Sequence, residues 1–300
     1  MSGATDTRTD ADLIASAAAE DARQGWYLYG ITRRGTPAAV LAEADTAHPV
    51  DIGSAAAPGD RASLQLLECC GLAAVVRPVV VAEFSVDILK ERLRDASEVE
   101  AMVRSHNSVI EAFHARQAIL PAKFGVVYSD ERQILSGLRS ACDTLLPQLS
   151  HLEGCDEWAL HLYADRSVVQ ERIAARIPAI GRLRDQFTAA RPGRAYFLER
   201  QLRDEMEAAT RQAMATLAQG AFDQLARAVV AAQASAVRRA ANVADETEIL
   251  RAAFLVSRDS VERFEVEVRA VADAAEGLRC ECSGPWAPYS FAACGVEGAQ

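Results

Sequence analysis

The sequence predicts an α+β protein of two domains, the C-terminal one a modified ferredoxin-like split βαβ fold with a long helical extension. Three observations lead there. Short apolar or alternating runs bounded by Gly, Pro and charged residues, from WYLYGI near the start to LRCECS near the end, have the length and composition of strands. Between them, stripes of apolar residues at three- and four-residue steps mark helices that bury one face. The second half runs strand, helices, weak segment, strand, helix, strand, the order of a split βαβ unit whose first helical connection is enlarged. At 300 residues and 50% hydrophobic content the chain can fill two modest cores. The expected division is a disordered acidic N-terminal extension over 1–24, an α+β domain over 25–154, and over 155–300 the ferredoxin-like domain with its helical extension and an aromatic tail.

Order is expected to begin at Gly25, with Trp26 to Ile31 as an aromatic-rich strand. Thr36 to Asp60, rich in Ala, Asp, Gly and Pro, is expected to be a loop with short weak pieces of structure. GLAAVV (Gly71–Val76) and VVVAEF (Val79–Phe84) form either a strand pair or one strand interrupted at Arg77 and Pro78. Ser85 can cap a helix burying Leu89 and Leu93, and Ser97 with Glu100 has the spacing of a capping box. The helix that follows places Val99, Met102, Val103, His106, Ile110, Phe113 and Gln117 on one stripe, so His106 is expected to face inward. Ile119 to Tyr128 is broken by Pro121 and Gly125 and is expected to be extended. Ser129, Asp130 and Glu131 start a helix striped by Ile134, Leu135, Leu138, Cys142, Leu145 and Leu149, with Cys142 as a small core residue.

Gly154 closes this half. Glu157 to Ala164 alternates as a strand, and a helix is expected from Ser167 to about Ile177. After Pro192 and Gly193 the longest helical segment runs from Ala195 to about Ala240, with a skip in its stripe at Gly220 that allows a kink or a second helix. Part of it should project and offer an apolar seam. A weak segment near Asn242 to Thr247, a buried strand over Ile249 to Arg258, a helix from Asp259 or Ser260 to about Glu276 and a last strand over Leu278 to Ser283 complete the order.

The formal net charge of −10 repels phosphate backbones and anionic lipid, so neither nucleic acid nor membrane is an expected partner. The acidic start does not have the basic flank and apolar run of a signal peptide, and seven cysteines, an odd number, suit reduced thiols in a cytoplasm. Cys280 and Cys282 point to one face of a strand and could ligate a metal. Tetrahedral sites generally add a second ligand pair that neither Cys69–Cys70 nor a histidine supplies, so buried thiols are the favoured reading. Phosphate-loop, dinucleotide, zinc-protease and nucleophile-elbow motifs are missing. No catalytic, cofactor-binding or metal-binding residue is assigned.

HNSVIEAFHARQAILPAKFGVVY (His106–Tyr128), the pair Glu157–Trp158, GRAYFLERQ (Gly193–Gln201), AFLVSR (Ala253–Arg258) and SGPWAPYSF (Ser283–Phe291) resemble the successive signatures of the gas vesicle protein F and L family (GvpF/GvpL). One departure is Ala287, where the family usually has proline. The resemblance implies a non-enzymatic accessory protein of gas vesicle formation, without cofactor, cytoplasmic and associated with the vesicle. It would bind the hydrophobic shell protein GvpA and other accessory proteins. Within these segments His106, Asn107, Pro121, Phe124, Gly125, Arg194, Tyr196, Arg200, Trp286, Tyr289 and Phe291 are the structural or interface candidates. The rival reading is a ligand- or metal-responsive ferredoxin-like regulatory domain, since such sheets also carry regulatory sites. The tail is expected to be a rigid plug in which Trp286, Tyr289 and Phe291 fold back onto an end of the C-terminal domain or its boundary with the first.

Overall fold

The computed structural model describes residues 23–46, 62–84, 86–92, 94–237 and 246–292. The N-terminal extension, the stretch 47–61, Ser85, Leu93 and the weak segment at Asn242 lie outside these, as does the side chain of Leu89. The chain divides into two compact units, one within Met1–Gly154 joined by Ala287–Gln300, the other Cys155–Trp286.

In the first unit β1 (Gln24–Arg33) is central. It pairs antiparallel with β3 (Leu72–Val80) on one side and with the short strands β4 (Ile119–Pro121) and β5 (Val127–Tyr128) on the other; β2 (Gln65–Cys69) lies outside β3. Tyr27, Tyr29, Val75 and Val79 pack with Val40 and Ala44 of α1 (Ala38–Thr46). The same cluster takes Met102, Val109, Ile110 and Phe113 from α3 (Ala96–His114). Alternate residues such as Leu28 and Val76 are buried as well. The helix α4 (Glu131–Leu152) lies against β1, β2 and β3 and buries Ile134, Leu138, Leu145 and Leu149. Helices on both faces explain why GLAAVV is apolar throughout and does not alternate.

Several expectations change here. Ala38–Thr46, placed in a loop by the sequence, is a helix that starts just after Pro37 and buries two small side chains. Its alanines give no contrast between faces. GLAAVV and VVVAEF resolve into the single strand β3, and Val81–Phe84 leaves it as a 3₁₀ turn. Pairing with β2 stops at Val76, so Pro78 lies beyond the partnered stretch on that side, where its missing N–H costs no ladder bond. A short helix α2 (Val86–Arg92) precedes α3. The cap of α3 is Asp95, not a Ser97–Glu100 box: its Oδ1 accepts from the backbone N–H of Ser97 at 2.9 Å, while Glu100 pairs with Arg104 one turn on. Cys142 is half-buried, with its thiol 3.5 Å from Asp143 Oδ1, and is not part of the leucine core.

The second unit is a sheet of order β7-β8-β6-β9, antiparallel throughout, built from β6 (Cys155–Asp165), β7 (Ala231–Ser235), β8 (Glu246–Ser257) and β9 (Leu278–Trp286). Three helices join β6 to β7: α5 (Arg166–Arg176), α6 (Pro178–Thr188) and α7 (Pro192–Ala226); α8 (Val261–Asp273) joins β8 to β9. This is the connectivity expected of a split βαβ unit. The first unit shows the same order, β2-β3-β1-β4, with its second, third, first and fourth strands side by side.

Leu160, Leu162, Leu250, Phe254 and Val256 of the sheet pack with Ala221 and Leu225 of α7 and Phe264 and Val271 of α8. A smaller cluster, Val169, Ile173, Ile180 and Met214, seats α5 and α6 on the earlier turns of α7. The 35 residues of α7, about 52 Å at 1.5 Å per residue, thus divide between the sheet and a helical layer. Those two helices cover the seam that was expected to project, and α6 was missed in the sequence. The helix passes through Gly220 unbroken and ends at Ala226, not near Ala240. AAQAS is edge strand β7, because pairing with β8 overrides the helix propensity of an alanine-rich stretch. No helix among the described residues is long and apolar enough to cross a membrane.

Candidate interaction surfaces

Of the first-unit candidates, His106, Phe124 and Gly125 meet around one buried ring. His106 is carried inward on α3, where Tyr27 Oη lies 2.8 Å from its Nδ1 and the Ala122 carbonyl 3.2 Å from its Nε2. A carbonyl only accepts, so Nε2 carries the proton and Nδ1 accepts from the Tyr27 hydroxyl. That hydroxyl in turn accepts the Gly125 N–H at 3.2 Å. The imidazole stacks on Tyr29 at 5.5 Å and meets the edge of Phe124 at 5.7 Å. Burial pushes the His106 pKa down to about 4 and raises that of Tyr27. Gly125 has φ +84°, which favours glycine at the point where the chain bends to bring its N–H to Tyr27. Pro121 is opposite Gly30 in the β4–β1 pairing. The constellation ties α3 to the segment after β4 and uses every polar atom of the imidazole.

Asn107, next on α3, accepts the Tyr289 hydroxyl at 2.7 Å. The buried part of the tail is Ala287, which joins the first-unit core, with Pro288 beside it; Tyr289 is 39% exposed and Trp286 47%. Phe291 is half-buried and its N–H donates to Pro288 O. The tail is therefore anchored by Ala287 and Pro288, with Trp286 and Tyr289 exposed and Phe291 half-buried, which corrects the expectation of an aromatic plug. Upstream, Gly284 passes over Trp158: a Cβ there would sit 2.9 Å from the indole and 3.0 Å from Glu157 O, so only glycine fits.

Arg194, Tyr196 and Arg200 lie at the start of α7, away from that cluster in sequence and in the second unit. Arg194 and Arg200 are exposed, Arg200 lying 3.9 Å from Asp204. Tyr196 is 62% exposed and Phe197 71%, their rings edge to face at 5.7 Å. Phe197 was not singled out from the sequence. The signal was its adjacency to Tyr196 and Leu198, since successive residues on a helix cannot all face the core. From Phe197 a cleft follows Gln201, Glu205 and Ala208 along α7. It continues into a groove of about 320 Å³ between α6 and α7 that includes Ile177 and Leu183. Ile177 also lines a third, largely apolar cleft of about 310 Å³ between α5 and α7, with Val169, Ile173 and Leu217 in its wall and Arg172 and Arg176 at its rim.

Cys280 packs against the second-unit core, and Cys282 shares its side of β9. Loss of solvent at the sulfur pushes both thiols up to about 11, although Cys282 as a residue is exposed. No three His, Cys, Asp or Glu side chains among the described residues are grouped to hold a metal ion. On the same sheet Glu248 accepts from Arg251 at 2.9 Å and lies 2.7 Å from His161 Nδ1, and Arg251 holds its carboxyl below the usual range.

The profile of the family described as gas vesicle synthesis protein GvpL/GvpF matches residues 25–293. The chain is 29% identical to gas vesicle protein L of Streptomyces sp. (strain CB03234) over 238 residues, 78% of this chain and 84% of that protein. It is 24% identical to gas vesicle protein L1 of Halobacterium salinarum over 208 residues, 66% and 72% of the two chains. The crystal structure of the gas vesicle protein GvpF from Anabaena sp. PCC7120 shares the fold, with a TM-score of 0.64 and 19% identity over 90% of this chain and 98% of that one.

Proposed function

The chain belongs to the gas vesicle synthesis protein GvpL/GvpF family, and from that premise we propose that it works without catalysis, covering the hydrophobic shell protein GvpA and meeting other vesicle accessory proteins during assembly. Membership gives it a role in gas vesicle formation. The finer reading is supported above all by the exposed Tyr196–Phe197 pair and the connected clefts along α7. A shell subunit buries its apolar face only after polymerising, so its free form gains from a partner that shields it. An amphipathic helix laid into the α6–α7 groove would bury that face, with the aromatic pair as anchor. The protein would act in the cytoplasm, at the vesicle surface.

The test is co-purification of the full chain with GvpA and a light-scattering assay of GvpA aggregation. The wild-type chain is expected to bind and to delay aggregation, and a Tyr196→Ala/Phe197→Ala double variant to lose at least tenfold in affinity. Binding unchanged in the double variant would remove this surface from the proposal. No binding by the wild type would sink the shell-protein reading itself.

A further inference from the structure

A sheet edge offers unpaired backbone N–H and C=O groups to any strand that meets it, and proteins blunt such edges with charge, proline, bulges or very short strands. Most edges here are blunted in this way. β2 carries the exposed Glu68, which pairs with Arg34. The far side of β1 is finished by the three-residue β4, ending at Pro121, and the two-residue β5. β9 carries the exposed Arg279 and Glu281, paired with each other, and Pro285. β7 differs. Its residues AAQAS hold no charge and no proline, and they pair with β8 in unbroken register without a bulge. No strand among the described residues covers its outer side. Gln233, Ala234 and Ser235 are exposed, and an exposed valine flanks each end, Val230 and Val237.

We propose that β7 pairs antiparallel with β7 of a second copy of this chain, about a two-fold axis at Gln233, joining the two sheets into one continuous sheet. The strand's own sequence selects this occupant, because AAQAS is close to a palindrome. In that register Ala231 lies opposite Ser235, Ala232 opposite Ala234, and Gln233 opposite itself. Every facing pair is small or neutral, so no like charges oppose each other. Two amides at the axis can each donate to and accept from the other. Ala232 packs with the helix-side core, so alternation turns Gln233 to the opposite face of the sheet. The antiparallel direction also brings the Val230 end of one copy beside the Val237 end of the other, covering the exposed valines. Two-fold symmetry makes the contact self-limiting. A ladder of five residues is about 17 Å long, well short of a standard interface, so the dimer is weak and depends on concentration. This surface shares no residue with the clefts along α7 and does not rest on the shell-protein reading.

The full chain is followed by analytical ultracentrifugation over a wide range of concentration, in moderate salt that screens the net charge of −10 on each copy. A monomer–dimer equilibrium is expected, with hydrogen exchange over 231–235 slowing as the dimer fills. Gln233→Lys and Gln233→Glu each set like charges face to face at the axis and should weaken the dimer by roughly tenfold or more. An equimolar mixture of the two variants should restore it as a heterodimer, a rescue that only a residue facing its own copy can give. A chain monomeric at every concentration, a dimer indifferent to both substitutions, or a mixture without rescue would overturn the proposal. So would protection of 231–235 that arises only when another vesicle protein is added, which would give the edge to a strand of that protein. If a variant fails to fold, the concentration dependence of exchange in the unsubstituted chain decides alone: slowing elsewhere but not over 231–235 overturns the proposal.

Discussion

The ring of His106 is neutral because it is buried between Tyr29 and Phe124 with a carbonyl on one nitrogen and a hydroxyl donor on the other. Its folded pKa of about 4 lies below the ordinary 6.5, so between those values the unfolded chain binds more protons and stability rises with pH. The contribution is complete above about pH 6.5 and is lost as pH falls towards 4. We predict a loss of roughly 2–4 kcal/mol over that window from this group. The comparison is urea denaturation of wild type and His106→Gln at pH 7.5 and 5; equal losses in both would refute the assignment. Tyr27→Phe strands His106 Nδ1 and the Gly125 N–H and should cost about 1–3 kcal/mol at pH 7.5. Arg77 offers a contrast. It is fully buried over the Tyr29 ring, donates to the partly exposed Asp45 at 2.7 Å, and leaves its Nε and Nη1 without a hydrogen-bond partner among the described residues. Asp45→Ala is therefore expected to cost about 3–5 kcal/mol, and Arg77→Met much less. The order of the two denaturation midpoints checks this. The inward face of His106 was legible from its place on the α3 stripe. Tyr27 and Phe124 as its partners were not, because strand and loop positions distant in sequence meet only in the folded sheet.

The long helix α7 shows what periodicity can and cannot say about an element. Its stripe was readable and its start, expected at Ala195, falls three residues earlier at Pro192, but its end was not readable: Ala-rich sequence on both sides of Ala226 has similar helix propensity, and the available sheet edge beside β8 breaks the tie. Gly220 follows the same logic. It looked like an interruption, yet it sits on an exposed helical turn with open space beyond it, so Gly220→Ala should stabilise by about 0.5–1 kcal/mol, measured by thermal melting. A destabilising result would mean that the glycine allows a close approach or a bend. Tyr196→Ala/Phe197→Ala should leave stability within about 0.5 kcal/mol, since both rings are largely in solvent. A marked fall in Tm would show that these residues support the helical layer and are not an anchor for a partner.

The whole chain folds as two units with the same strand order, and the tail returns to the first of them: Ala287 enters its core and Tyr289 bonds to Asn107. Truncation after Trp286 is accordingly predicted to loosen the first unit, with faster hydrogen exchange over 96–114 and little change over 246–257. The reverse pattern would place the tail's contribution in the second unit. The sequence by itself determined the α+β class, the β8–α8–β9 run that ends the second half, the inward histidine and the family, because these rest on local periodicity and on motifs contiguous in the chain. Only the tertiary structure decided that β2 and β7 are edge strands, that α6 exists and covers α7 with α5, and that the tail anchors through Ala287 and Pro288 with Trp286 and Tyr289 exposed. The reason is the same in each case. A short edge strand, a short helix or a tail of small residues carries little preference of its own, and its state is set by partners that arrive from elsewhere in the chain.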